Sequence, residues 1–113
     1  MPPRNWQVRL EDILEAIKNI NDDMRGMDEK TFLANRQVRD AVVHNLTVMG
    51  EAVVHIPEEV QKKYPTLPWP EMKGIRNVLV HEYYKIEPAS LWKTVKNDLP
   101  ALEKALRDIF DKP

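Results

Sequence analysis

Apolar side chains recur at intervals of three and four residues along most of the chain. The first series covers about residues 5–24 and forms one stripe on a helical surface, made of Trp6, Leu10, Ile13, Leu14, Ile17, Ile20 and Met24. Gly26 then provides a stop signal, and Asp28 is placed to cap a short helical turn. A second series over residues 36–56 predicts a helix of about six turns.

Prolines divide the second half of the chain. Pro57 ends the second long helix and opens a short one over residues 57–63, because proline is tolerated in a first turn. Residues 64–70 predict an extended connector, and residues 71–84 predict another helix. The apolar spacing of residues 88–110 continues across Pro100, which predicts a kinked or broken last helix. We therefore expect an all-α, up-down helical bundle of four to five helices.

The composition narrows the class of protein. At 113 residues the chain is long enough for one core and too short for two, so we treat residues 1–113 as a single domain. The absence of cysteine excludes disulfides and thiolate catalysis. With no apolar leader or membrane-length apolar run, we expect a soluble, cytoplasmic protein. The 17 Lys and Arg residues nearly balance 18 Asp and Glu, so any contact with nucleic acid must be local.

The predicted helix over residues 71–84 carries an unusual polar face. On a helical wheel, Arg76, Asn77 and His81 lie away from an apolar wall formed by Met72, Ile75, Val78 and Leu79. Tyr83 falls almost directly above Arg76, whereas Asn77 and His81 share another flank. Gly74 would let another backbone approach this helix closely.

This polar set suits phosphodiester cleavage. The reaction needs a proton acceptor, which the imidazole of His81 can supply, and a fixed cation, which Arg76 supplies. With RNA the ribose 2′-OH can attack, so neither a metal nor a protein nucleophile is required. An Arg and a His five residues apart also occur by chance in helices, where they make local hydrogen bonds, and spacing alone does not establish an enzyme.

The segment Arg76-Asn77-x3-His81-Glu82-Tyr83 resembles the R-x4-H-x-Y signature of HepT toxins, a branch of the HEPN superfamily. Upstream, Gly50-Glu51-Ala52 lies in a stretch that resembles the second long helix of that family. Trp69 and Trp92 follow in the family's expected order, and the resemblance covers about residues 5–111. It implies an HEPN-like fold.

The resemblance also implies a function. HepT proteins are toxins of type II/VII-like toxin–antitoxin pairs and act as homodimers, in which the signature helices of both subunits line one cleft. The cleft forms a composite endoribonuclease site without metal or cofactor, in which His81 would be the acid or base, Arg76 the phosphate contact and Asn77 an orienting or substrate contact. The implied partner is the nucleotidyltransferase antitoxin MntA, which transfers AMP to the signature tyrosine, here Tyr83. A second phenol, Tyr84, leaves open which tyrosine is modified.

Two residues of the preceding long helix bear on this site. Glu51 is expected to pair with Arg76 and hold its guanidinium, since a partly buried glutamate is seldom unpaired. Gly50 would then be a helix-crossing contact. His44 and His55 are three helical turns apart, too far to share one metal ion, so no metal site is predicted.

Other aromatic and basic residues have simpler interpretations. Three tryptophans could stack on bases, although core or interface packing is the default for Trp6, Trp69 and Trp92. Three cations could extend a basic rim toward the cleft, although a solvated surface is the default for Arg36, Arg39 and Lys73.

Two further functions stay open at this stage. The near-neutral charge is compatible with a non-catalytic HEPN module that binds a nucleotide or serves as an adaptor for a nucleotidyltransferase. A purely structural helical dimer is the third possibility.

Overall fold

The computed structural model describes residues 5–111, with the side chain of Tyr83 excepted, and all regular structure in that range is helical. The α-helices are α1 (Trp6–Asp23), α2 (Glu29–Ala34), α3 (Arg36–Val54), α4 (Glu58–Lys63), α5 (Trp69–His81), α6 (Pro88–Lys93) and α7 (Leu99–Asp111). A 3-10 segment, Tyr83–Lys85, follows α5, and a π-helical segment, Thr94–Asp98, joins α6 to α7. The expected all-α class is confirmed. The expectation that the chain starts without an apolar leader concerns residues 1–4 in part, and these lie outside the described range.

The centre of the bundle is the contact between α1 and α3. Four members of the apolar stripe of α1 have no exposed area: Leu10, Ile13, Ile17 and Ile20. Each such side chain contributes about 1.5–3 kcal/mol to folding. Asn35 starts α3 by accepting a hydrogen bond from the Val38 N–H at 3.0 Å. Within residues 5–111, no helix is both long and apolar enough to pass through a bilayer.

Asp28 caps α2 as predicted. Its carboxylate accepts a hydrogen bond from the Thr31 N–H at 2.8 Å. Hydrogen bonds from Thr31 hold the pKa of Asp28 below its usual range, because they favour the charged carboxylate. The short helix α2 then places Phe32 in the core, where its ring centroid lies 5.5 Å from that of Trp92.

The last helix is broken just before Pro100, as the sequence predicted. Because Pro100 has no N–H and its ring would collide with the carbonyl one turn earlier, the preceding turn widens into the π-helical segment Thr94–Asp98. The N–H of Leu99 bonds the Thr94 carbonyl, five residues back, in keeping with this geometry. The helix α6, the π segment and α7 together form one continuous helical run. With that run counted as one, the described residues form four long helices, and α2 and α4 are two short ones.

Helices α3 and α5 run antiparallel and cross closely at Gly50. Lys73, near the start of α5, lines the same cleft as His55 at the end of α3, whereas Leu79 further along α5 shares a cavity with Leu46 further back in α3. A Cβ atom built on Gly50 would overlap the Arg76 Cβ and lie 3.0 Å from its Cγ. The predicted crossing contact at Gly50 is therefore confirmed, and it is made with Arg76 itself.

Two predicted boundaries around α5 were wrong. The connector forms a compact turn, closed by the Leu67 N–H and the Tyr64 carbonyl at 3.3 Å, and α5 begins at Trp69 with Pro70 in its first turn. At the other end α5 stops at His81 rather than Tyr84, because Glu82 adopts φ −133° and ψ 28°. The chain turns there so that Ile86 can pack against the core, and this tertiary contact overrides the local helical pattern.

A prediction about the faces of α5 was also wrong. Met72 and Leu79 are buried, but Val78 is 44% exposed and belongs to the solvent side. Gly74 has no atom within 4 Å of an added Cβ position, so no backbone approaches it within the described chain. The buried strip of α5 is therefore narrower than the wheel implied, because α5 packs mainly on α3.

The two helical glycines provide a matched test of the crossing. Gly50→Ala is expected to destabilise the fold by up to about 2 kcal/mol, since overpacking costs about 1–3 kcal/mol and the gain in helix propensity offsets about 1 kcal/mol. Gly74→Ala, with open space around it, is expected to stabilise by about 0.5–1 kcal/mol. Urea unfolding of both variants measures the difference, and a Gly50→Ala variant as stable as Gly74→Ala would contradict the close crossing.

Candidate active site

The guanidinium of Arg76 is held from two sides. Its Nε donates a hydrogen bond to Glu51 Oε1, across the α3–α5 crossing, and its Nη1 donates to Asn77 Oδ1 at 2.9 Å. The predicted pairing of Glu51 with Arg76 is confirmed. With two donors fixed by partners on different helices, the plane of the guanidinium has little freedom to rotate.

The ion pair lies at the surface of the bundle rather than in its core. The side chains of Arg76 and Glu51 are 28% and 44% exposed, so solvent screens their attraction and the pair adds little stability. A guanidinium has five N–H donors, and the two bonds described above leave three for an anion. The arrangement presents a pre-oriented cation to solvent.

His81 ends α5 and is exposed. Across residues 5–111 its ring has no hydrogen bond or ion pair, so both nitrogens are open to a substrate. It follows Arg76 by five residues on the same rigid helix, a rise of about 7.5 Å along the axis. One element therefore carries a fixed cation and, further along, a proton acceptor.

The structure groups the polar residues of α5 differently from the helical wheel. The wheel separated Asn77 from Arg76 and placed Tyr83 with Arg76, but Asn77 is bonded to Arg76. Tyr83 lies in the 3-10 segment beyond the end of α5, so its position above Arg76 no longer follows from helical geometry, and its side chain lies outside the described part. The neighbouring ring of Tyr84 is 79% exposed.

The tryptophans have mainly packing roles. Trp69 is buried and its Nε1 donates to the Tyr64 carbonyl at 3.0 Å. Trp6 packs at 6.3 Å from the Tyr64 ring, centroid to centroid. These contacts and the tilted packing of Trp92 against Phe32 support the interpretation of all three as structural aromatics.

Of the three cations in the basic-rim hypothesis, two lie far from the ion pair. Arg36 and Arg39 lie near the start of α3, roughly 18–22 Å along the helix axis from Glu51. The Nη1 of Arg39 donates to the Leu33 carbonyl. Among the three cations of that hypothesis, Lys73 is the one near the ion pair, one helical turn before Arg76.

A polar cleft beside Lys73 was missed by the sequence analysis. It lies between the end of α3, the start of α4 and α5, and it includes His55 and Gln61. Sequence spacing gives no signal for it, because it depends on how α3 and α5 cross. His44 is exposed, and among the described residues no three His, Asp or Glu side chains are grouped as a metal site would require.

The chain is similar to named ribonucleases. The family model described as "Ribonuclease HepT-like" matches residues 13–109. A Thermococcus cleftensis protein named "Probable ribonuclease HepT" is 39% identical over 100 residues, which cover 88% of this chain and 91% of that protein. A Methanocaldococcus jannaschii protein named "Putative RNase" is 38% identical over 104 residues, covering 92% and 95%. A Caldanaerobacter subterraneus protein, also named "Putative RNase", is 32% identical over 103 residues, covering 91% and 92%.

No solved structure matches the chain. The family match nevertheless spans α3 and α5, and with them the crossing at Gly50 and the polar residues from Arg76 to His81. The resemblance based on the signature residues is thereby confirmed. The chain belongs to the HepT-like ribonuclease family.

Proposed function

We propose that this protein is the toxin of a toxin–antitoxin pair and acts as a metal-independent endoribonuclease. The observation that carries the proposal is the guanidinium of Arg76, fixed by Glu51 and Asn77. It lies on the same helix as the ring of His81, which has no partner among the described side chains. The names of the relatives as ribonucleases support an RNA substrate. The chemistry follows from the two groups.

The proposed reaction is transesterification within the RNA strand. His81 takes the proton of a ribose 2′-OH while the 2′-oxygen forms a bond to phosphorus. The bond from phosphorus to the 5′-oxygen breaks, and that oxygen takes a proton from an acid, which leaves a 2′,3′-cyclic phosphate. The free N–H groups of Arg76 stabilise the charge that builds on the non-bridging oxygens.

A homodimer would complete this site. One His81 cannot be acid and base at the same moment, whereas a second subunit across a shared cleft would supply the partner subunit's His81 as the acid. Exposed apolar side chains near His81 give α5 a surface suited to association, since Val78, Val80 and Tyr84 are 44%, 47% and 79% exposed. The composite cleft would be lined by both copies of α5.

We further propose that a nucleotidyltransferase antitoxin of the MntA kind silences the enzyme by adding AMP to Tyr83. The phenol oxygen would attack the α-phosphate of ATP and release pyrophosphate. The product carries a bulky anion two residues beyond His81, where it would block the cleft and compete for Arg76.

The second candidate is a non-catalytic HEPN module that binds a nucleotide or serves as an adaptor for a nucleotidyltransferase. The near-neutral net charge of −1 favours it, because no general positive field attracts RNA. The two candidates differ in whether the purified wild-type protein cleaves RNA, and a cleavage assay separates them.

His81→Ala is expected to lower the cleavage rate by about 10²–10⁴-fold, because the reaction loses its proton acceptor. His44→Ala, which removes an exposed histidine from α3, is the matched control and should cleave as the wild type does. Cleavage of a labelled RNA is measured with and without EDTA, which should have no effect. Undiminished cleavage by His81→Ala would refute this site, and no cleavage by the wild type would favour the adaptor.

Glu51→Ala is expected to lower kcat about 10-fold, because the guanidinium of Arg76 loses its orientation. Arg76→Ala should lower kcat about 10²–10³-fold, the range for a lost transition-state donor. If Glu51 acts through Arg76, adding Glu51→Ala to Arg76→Ala should cost little more. Glu51→Asp should recover part of the loss. Fully multiplicative effects in the double variant would contradict a positioning role for Glu51.

Tyr83→Phe is expected to keep most cleavage activity but escape silencing, because it lacks the phenol oxygen that accepts AMP. Tyr84→Phe is the control and should remain silenced. Each variant is co-expressed with the nucleotidyltransferase, and intact mass and growth are measured. An AMP-sized increment on Tyr83→Phe but not on Tyr84→Phe would instead assign the modification to Tyr84.

A further inference from the structure

A polar cleft lies one helical turn from the Arg76 site. Its volume is about 410 Å³, and it lies between the end of α3, the start of α4 and the first turns of α5. Four of its lining side chains are polar: His55, Glu58, Gln61 and Lys73. The proposed cleavage reaction uses none of them, so the cleft needs its own explanation.

The cleft continues the candidate active site in one direction. Lys73 precedes Arg76 by three residues on α5. His55, the residue that caps the end of α3, follows Glu51 by four. Side chains with these spacings lie on the same side of a helix, about 5–6 Å apart at Cβ. Because α3 and α5 are antiparallel, both steps lead away from the ion pair toward the same end of the crossing. Lys73 and His55 therefore lie beside each other, one helical turn beyond the Arg76–Glu51 ion pair.

The charges in the cleft favour an anion. Within residues 5–111 the ammonium of Lys73 has no ion pair or hydrogen bond, and it is exposed. The one carboxylate of the cleft, Glu58, lies 3.8 Å from the ammonium of Lys62, which partly offsets its charge. Gln61 is anchored by a hydrogen bond from its Nε2 to the Ile56 carbonyl at 3.1 Å. An uncommitted cation and an exposed imidazole remain.

We infer that Lys73 and His55 bind the phosphate next to the scissile phosphate of an RNA strand. The inference rests on the proposed ribonuclease function and adds a backbone subsite to it. A polynucleotide presents phosphates at regular intervals along one line, as Arg76 and Lys73 present cations one helical turn apart. Since phosphate contacts position a strand without reading its bases, the subsite would set the path of the RNA rather than its sequence.

The test measures RNA binding in a His81→Ala background, which keeps the RNA intact. Lys73→Ala is expected to weaken the binding of a fluorescent RNA oligonucleotide about 3–10-fold. The slope of log K against log salt should become shallower by about one, the value for one lost phosphate contact. His55→Ala should weaken binding in the same direction, and Lys73→Arg should retain it, because the positive charge is kept.

Lys104→Ala is the matched control. It removes the same charge from the lining of a different cleft, on α7, and should leave affinity and salt slope unchanged. An equal loss in Lys104→Ala would mean a general charge effect and would overturn the subsite. Circular dichroism checks that each variant is folded.

The outcomes separate the subsite from the proposed function. If the wild type cleaves RNA and Lys73→Ala binds it with unchanged affinity and salt slope, the subsite is wrong and the ribonuclease stands. If the wild type neither binds nor cleaves RNA, both proposals fail.

Discussion

The site depends on the close crossing of α3 and α5. Only a residue without a side chain fits at Gly50, because the Cβ of Arg76 occupies that space. The next residue along α3, Glu51, then meets the Nε of Arg76. One contact thus sets both the packing of two helices and the direction of a guanidinium. The pair is too exposed to contribute much stability, at about 0–1 kcal/mol for surface pairs. Its main physical effect is to fix the orientation of Arg76.

The end of α5 is the second constraint on the site. If α5 continued past His81, the tyrosines would lie on the faces that helical periodicity assigns to them. The chain instead leaves the helix at Glu82, and Ile86 packs against the core near Leu46. His81 is therefore a terminal helical residue, held by a rigid element on one side and followed by a turn on the other. The proposed modification just beyond it would act on a segment that α5 does not hold.

Much of this arrangement could be predicted from the sequence, and the rest could not for identifiable reasons. The helical class, the cap at Asp28 and the break near Pro100 are local effects, fixed by periodicity, side-chain hydrogen bonding and a missing N–H. The pairing of Glu51 with Arg76 was predictable because a glutamate among apolar neighbours needs a partner. The exposure of Val78 depends instead on which helices cover α5, and spacing along one helix does not encode that.

The near-neutral charge has a consequence for how RNA could be held. With a net charge of −1, long-range attraction is weak, so binding must come from short-range contacts to individual phosphates. Arg76 alone is a poor anchor, because Glu51 offsets much of its charge while it fixes its direction. If Arg76 is the transition-state contact that we propose, ground-state binding of RNA falls to other cations. Lys73 beside it, and a second copy of the same surface across the proposed dimer cleft, would supply that binding without loosening the guanidinium on which the proposed chemistry depends.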